Sequence, residues 1–424
     1  MTYMPILRRS LLGAVLILFS SGVFAADWPQ WRGPFRTGHV AADVPVPSTL
    51  PAEPKVIWHI PVGDGFASPV VSGGRVFYLD NQDAQEVAHA LDAQTGKELW
   101  RAQIFSSHRD GFGIGPRCTP VVDGAQLFVQ SAKGEFQCLD AQHGKKVMWR
   151  TNFVDDFGAM YTGEKGKAAG ASRHGAAGSP LVGPDRVIAQ VGSAKGASIV
   201  TFTKIYGNVI WKSQNDQTAY AAPIVATLGG EEQVVAFTAE ALIGLRLSDG
   251  TLRWRRPLQT ALGRHVTTPV AIGNLIVVGS HQIGLTGTLI ERAGENFTAS
   301  EAWTNKAAAM NFTSPVEVRG AIFGIGPAKN LLCVDAKDGQ VLWEKAGLIQ
   351  TSADRAEAAF IVMGDNILML TDSGLLVLFA ADASTYRELG RAQVCGQNWC
   401  NPAYVDGRLF LRDARELSCI ELLP

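Results

Sequence analysis

The chain has 424 residues and a formal net charge of −1, so it lacks the basic field expected of a general nucleic-acid binder. Charged residues make up only 18% of it and 45 residues are glycine, while helix-period apolar stripes are scarce. This composition suits an all-β protein with many tight turns.

Residues 1–25 read as an export signal. Arg8 and Arg9 supply the positive start, and the apolar run from Leu11 to Phe19 is too short to span a bilayer. Val23, Phe24 and Ala25 put signal-peptidase cleavage after Ala25. A short membrane anchor is the competing reading, and Arg8–Arg9 leave Sec or twin-arginine export open. No later segment is apolar enough to span, so the expected location is periplasmic or otherwise exported. The arm 26–54 is rich in proline and carries Trp28 and Trp31. It is predicted to run extended over the side of the fold with both indoles docked in grooves, because bare tryptophans are costly.

From residue 55 onward one phrase recurs. A glycine turn precedes a tryptophan by four residues in Gly96…Trp100, Gly207…Trp211, Gly250…Trp254 and Gly339…Trp343; Gly144…Trp149 is one longer. Trp58 and Trp303 close weaker copies, and in "ADASTYRELG" Leu389 takes the tryptophan's place. Upstream of each phrase stands a small residue plus Pro, a short apolar strand, a turn and a second strand, as in "SPVVSGGRVFYLD" and "TPVAIGNLIVVGS". One unit is therefore strands A, B and C, the glycine turn, then strand D. Four antiparallel strands per repeat make a propeller blade. Eight A strands start near Ser68, Thr119, Ser179, Ala222, Thr268, Ser314, Glu357 and Asn401. The last unit has no D strand, whereas "KVIWHIP" at 55–61 is a D strand without a blade. The expectation is an eight-bladed β-propeller over 55–424, closed by that N-terminal strand. The tryptophans Trp58, Trp100, Trp149, Trp211, Trp254, Trp303 and Trp343 are expected to wedge between blades with each indole N–H on a backbone acceptor.

These phrases resemble the repeat of PQQ-like propellers, and "DWPQWRGP" at 27–34 is similar to the opening of exported bacterial members. The resemblance implies two branches. Quinoprotein alcohol dehydrogenases hold PQQ and calcium in an eight-bladed ring. The outer-membrane-assembly scaffold lipoprotein has the same ring without a cofactor and binds protein partners. Here no two cysteines are adjacent, as the dehydrogenases have beside the quinone, and no cysteine stands near the cleavage site for lipidation. The reading that leads is a non-enzymatic binding or scaffold protein of the cell envelope without a cofactor. A PQQ- and calcium-dependent alcohol or sugar dehydrogenase is the alternative.

Six cysteines lie in the mature chain. Cys395 and Cys400 flank one loop and are the candidate disulfide; the others are expected to be buried thiols. No metal motif is present.

Loops joining strand D to the next strand A gather at one mouth of such a ring. Three residues before each strand-A Pro lie Phe66, Arg117, Tyr220, Phe312 and Trp399, which shared register places around one ring. With Arg173, His174, Arg264, His265 and Arg355 from the same loops, they form a candidate site for an envelope protein or a small anionic ligand. The insertion 152–178 is a candidate lid.

Overall fold

The computed structural model describes residues 27–161, 174–350 and 356–423. Its strands form eight four-stranded antiparallel sheets, plus a two-stranded hairpin, Arg109–Asp110 with Gly113–Ile114. The sheets are the blades of an eight-bladed β-propeller. Blade 1, for example, runs Val70–Ser72, Arg75–Gln82, Gln85–Asp92 and Glu98–Ser106 as strands A to D. Blade 8 consists of Ala403–Val405, Arg408–Arg412 and Glu416–Glu421, and its D strand is Lys55–Pro61. Lys55 faces Glu421 and Trp58 faces Cys419 in that antiparallel pair, so the ring closes as expected. Closure leaves no inter-blade sheet edge open.

Each tryptophan does what its position demands. Trp58, Trp100, Trp149, Trp211 and Trp303 lie over the C–D turn glycine of the next blade. A Cβ at Gly96, Gly144, Gly207, Gly250 or Gly339 would fall 2.3–2.7 Å from the respective ring. Each of these five indole N–H groups donates to a backbone oxygen of the same turn, 2.9–3.1 Å away. Only glycine leaves room for the ring, and its positive φ makes the turn. Trp343 meets a turn without glycine, donating to Asp382 O at 2.9 Å and packing against Tyr386. At Leu389 the arm makes up the difference: Leu50 N–H donates to Leu389 O.

The interface between blades 4 and 5 is built otherwise. Blade 5 carries a long outer hairpin, Gly284–Ala293 and Asn296–Asn305. Trp254 has no neighbouring turn beneath it and donates to Gln233 Oε1 of its own blade at 2.7 Å. Polar groups bridge the gap. Arg256 donates to Thr288 and Thr286 at 2.7 and 3.0 Å and pairs with Glu301. Arg253 pairs with Glu295 at 3.5 Å and lies over the Phe297 ring, while Arg292 donates to Gly229 O at 3.1 Å.

The arm takes a different path from the one expected. Its first part, residues 27–40, enters the central channel rather than lying on the side of the ring; only the later part, at Leu50, reaches an outer strand, that of blade 7. Trp28 pairs with Val71 of strand A in blade 1, and Pro29 O accepts from Val122 of blade 2. Trp31 Nε1 donates to Thr268 Oγ1 of blade 5 at 3.0 Å. Arg32 reaches Pro315 O of blade 6 at 2.5 Å, and Arg36 reaches Pro180 O and Ser179 O of blade 3 at 2.7 and 3.0 Å. Gly38 and Val40 then bond to Val362 of blade 7. A segment this short touches six blades only from inside. The physical reason is hydrogen-bond demand: strand A is the inner edge of every sheet, and its outward carbonyls need donors. The two guanidinium groups are buried among them, and burial lowers their pKa to about 10 for Arg32 and about 9 for Arg36.

The candidate disulfide is also corrected. Cys395 and Cys400 are both free, as are the other four cysteines. The two thiols have separate partners: Cys400 Sγ is buried and lies 3.6 Å from Ala67 O, while Cys395 Sγ lies 3.7 Å from Asn398 Nδ2.

Candidate functional site

A cavity of about 220 Å³ opens at the mouth where the D–A loops meet. The register argument places its rim well. Phe66, Arg117, Tyr220, Phe312 and Trp399 all line it, and so do Ala177 and Val266, which hold the same position in blades 3 and 5. His174 and Arg264 line it too. Trp31 lines it from the arm, near the starts of the A strands. The channel is thus blind: the N-terminal segment fills it from the opposite face.

The aromatic rings form a connected belt. Phe66 and Trp399 have centroids 5.5 Å apart, Trp399 and Phe112 5.8 Å, Phe112 and His174 4.9 Å, and His174 and Tyr220 5.9 Å. The Arg117 guanidinium lies over Phe66, 4.4 Å from its centroid. Asp110 organises this side. Its Oδ1 accepts from Arg117 at 2.7 Å and from the Phe112 N–H at 2.8 Å; its Oδ2 lies 2.9 Å from His174 Nδ1 and 3.4 Å from His108 Nε2. Burial alone would raise the Asp110 pKa. The hydrogen bonds to both histidines and the Phe112 N–H, with the Arg117 charge, outweigh it and hold the carboxyl far below its ordinary value. Arg117 is therefore a fixed, charge-compensated ring partner rather than a loose anion receptor.

Across the cavity stand Glu357, Asp372 and Asn398. Asp372 is buried, its Oδ1 meets no donor, and burial raises its pKa.

His265 does not belong to this site. It is fully buried, stacked on Phe237 at 4.0 Å with Nδ1 2.6 Å from Thr238 O, and burial lowers its pKa to about 4. It immediately precedes Val266 at the rim, and alternation along an extended chain sends neighbours to opposite sides. Arg173 and Arg355 lie outside the described residues, as do residues 162–173 of the predicted lid. Its described start is a short helix, Phe153–Phe157, capped by Asn152. The sequence reading missed Phe112 and His108, and it placed Trp31 elsewhere. The close backbone approach in this loop falls at Gly115, where a Cβ would lie 2.7 Å from Asp64 O.

A closed ring of eight four-stranded blades with an aromatic-lined mouth defines an eight-bladed β-propeller. The family model described as "Outer membrane protein assembly factor BamB" matches residues 83–345, and the chain belongs to that family. The BamB protein of Yersinia pestis is 24% identical over 303 residues, covering 69% of this chain and 72% of that protein. Among solved structures, BamB from Moraxella catarrhalis superposes with a TM-score of 0.57 at 14% identity, covering 87% of this chain and 98% of that one. The quinohemoprotein alcohol dehydrogenase from Comamonas testosteroni gives 0.62 at 14% identity, covering 94% and 80%. At such identities the two structures speak for the fold alone.

Proposed function

We propose that this protein is an exported, non-enzymatic scaffold of the cell envelope that holds a protein partner at its mouth, in outer-membrane protein assembly. The supporting observation is the aromatic belt on the rim. Its rings present wide apolar faces with few rotamers to lose, the anchoring chemistry of protein interfaces. Arg117 and His174 are already held by Asp110, so an incoming side chain meets a preorganised surface.

The dehydrogenase reading was tested against the same residues. Calcium takes six or more oxygen ligands, roughly, and PQQ chemistry needs them beside a planar slot. The rings would offer the slot. Among the described residues, however, no three His, Cys, Asp or Glu side chains converge as a metal-ligand set, and Asp110 is spent on Arg117 and two histidines. This favours the scaffold reading over a calcium-bound quinone.

The test joins both readings. A Tyr220→Ala/Trp399→Ala variant is expected to lose cross-linking to outer-membrane assembly proteins in envelope preparations by about tenfold, the size of a lost aromatic anchor. Unchanged cross-linking would overturn the mouth as the working surface. Added PQQ and Ca²⁺ are expected to leave the melting temperature unmoved; a ligand at 100 times its Kd would add about 2.7 kcal/mol. Such a shift, with dye-linked oxidation of alcohols, would overturn the scaffold reading.

A further inference from the structure

The C–D turns lie on the face opposite the mouth, and one of them breaks the pattern of the others. At the two tip positions before the turn glycine, blade 1 has Gln94–Thr95, blade 2 Gln142–His143, blade 4 Ser248–Asp249 and blade 6 Lys337–Asp338. Blade 3 has Ile205–Tyr206, 51% and 72% exposed. Neither side chain is used by the fold; the turn is held by Gly207 under Trp149 and by Lys204 O accepting from Trp149 Nε1 at 2.9 Å. The same contact places the turn beside strand D of blade 2, where Val147 and Met148 are 47% and 39% exposed. Val209 and Ile210, next along blade 3, are 48% and 39% exposed. An apolar patch built from consecutive exposed residues on two adjoining blades is uncommon on a soluble surface without an occupant.

Its charge is one-sided. Lys145, Lys146, Arg150 and Lys212 surround the patch, all exposed. The chain has no Asp or Glu between Ala141 and Val154, nor between Arg186 and Asn215. The turn aspartate that caps blades 1, 2 and 6 is Thr203 here, whose Oγ1 accepts from Asn208 N–H instead. Apolar side chains with a tyrosine at the tip, ringed by more cations than acids, although Lys204 of the turn pairs with Asp123 at 2.6 Å, match the boundary of an anionic bilayer.

We propose that this edge of blades 2 and 3 seats on an anionic lipid surface, with Ile205 and Tyr206 entering the headgroup region and the lysines facing lipid phosphates. The ring so seated presents its mouth away from the lipid. The proposal does not depend on what the mouth binds.

The test is co-sedimentation of the full mature chain with phosphatidylethanolamine vesicles, with and without phosphatidylglycerol. Binding is expected only with phosphatidylglycerol, and weaker as salt rises. Ile205→Ser/Tyr206→Ser should lower the vesicle affinity by about tenfold, and Lys145→Gln and Lys146→Gln by about fivefold each. The matching change in blade 1, Gln94→Ser/Thr95→Ser, should leave it unaltered, as should Tyr220→Ala/Trp399→Ala at the mouth. The side chains changed on blades 1, 2 and 3 are exposed, and an unchanged melting temperature verifies folding of every variant. Equal sedimentation without phosphatidylglycerol, or an Ile205→Ser/Tyr206→Ser variant that binds like the parent, would overturn the proposal. So would a parent that ignores vesicles but cross-links to an envelope protein through this edge, which assigns the patch to a protein partner.

Discussion

The blade 5–6 interface and the blade 4–5 interface do the same work by different means. The first sets Trp303 on Gly339, a fit of shape in which nothing larger than hydrogen is accommodated beneath the ring. The second leaves Trp254 bonded within its own blade and spans the gap with Arg253 to Glu295 and Phe297, Arg256 to Glu301, and Arg292 to Gly229 O. Shape complementarity is insensitive to salt, whereas charged side chains that reach solvent are screened by it. One ring thus carries five interlocks of the first kind and a polar seam of the second.

Removing an indole tests the first kind most severely. Trp58→Ala should cost about 3–5 kcal/mol, because it empties the wedge at the closing pair of strands and leaves Ala93 O without its donor. Equilibrium urea unfolding would measure it, and a loss below 1 kcal/mol would mean that closure is carried by strand pairing alone. The glycine beneath the wedge comes next. Gly339→Ala meets Trp303 at 2.3 Å, whereas Gly294→Ala, in the hairpin turn that faces no tryptophan, meets nothing within 4 Å. Both sites have positive φ. The first should cost about 2–4 kcal/mol and the second about 1 kcal/mol, the left-handed strain alone. Equal costs would show that the glycine serves the turn and not the interlock.

The seam should yield less. Arg256→Ala removes bonds to Thr286, Thr288 and Glu301 and is expected to cost about 1–2 kcal/mol, with the difference from the parent shrinking in 1 M salt. A salt-independent loss would place its value in packing.

The last test is a titration at blades 1 and 2, where Glu86 is fully buried near Glu135. Burial raises its pKa from the ordinary 4.5 to about 8. The folded protein therefore keeps this proton through the range in which the unfolded chain releases it, and stability falls as pH rises from 4.5 toward 8. Glu86→Gln should leave the melting temperature unchanged at pH 4 and raise it at pH 8, with the gain growing steadily across that range. A variant less stable than its parent at pH 8 would mean that Glu86 is paired and ionised.

The ring was legible because repetition converts position into contact. Once the Pro of each strand A set the register, Phe66, Arg117, Tyr220, Phe312 and Trp399 were assigned to one rim without coordinates, and the structure gathers them there. The D strand missing from the last unit and spare at 55–61 fixed the closure. What repetition does not touch was not legible. The arm has no period, so nothing in it distinguished the outside of the ring from the channel; the deciding groups are the strand-A carbonyls, which any sequence possesses. His174 and His265 looked alike in the loops, yet one faces Asp110 and the other Phe237. The spacing of Cys395 and Cys400 spoke for a bond, while the thiols are engaged separately.

The pairing of Lys55 with Glu421, 366 residues apart in the chain, has a consequence in time. An emerging polypeptide holds its own keystone from the start and has nowhere to set it until the final strands are made. Loop-closure entropy of that size is met late, so the last step of maturation should be slow, and the chain should remain sensitive to proteases until its final residues arrive.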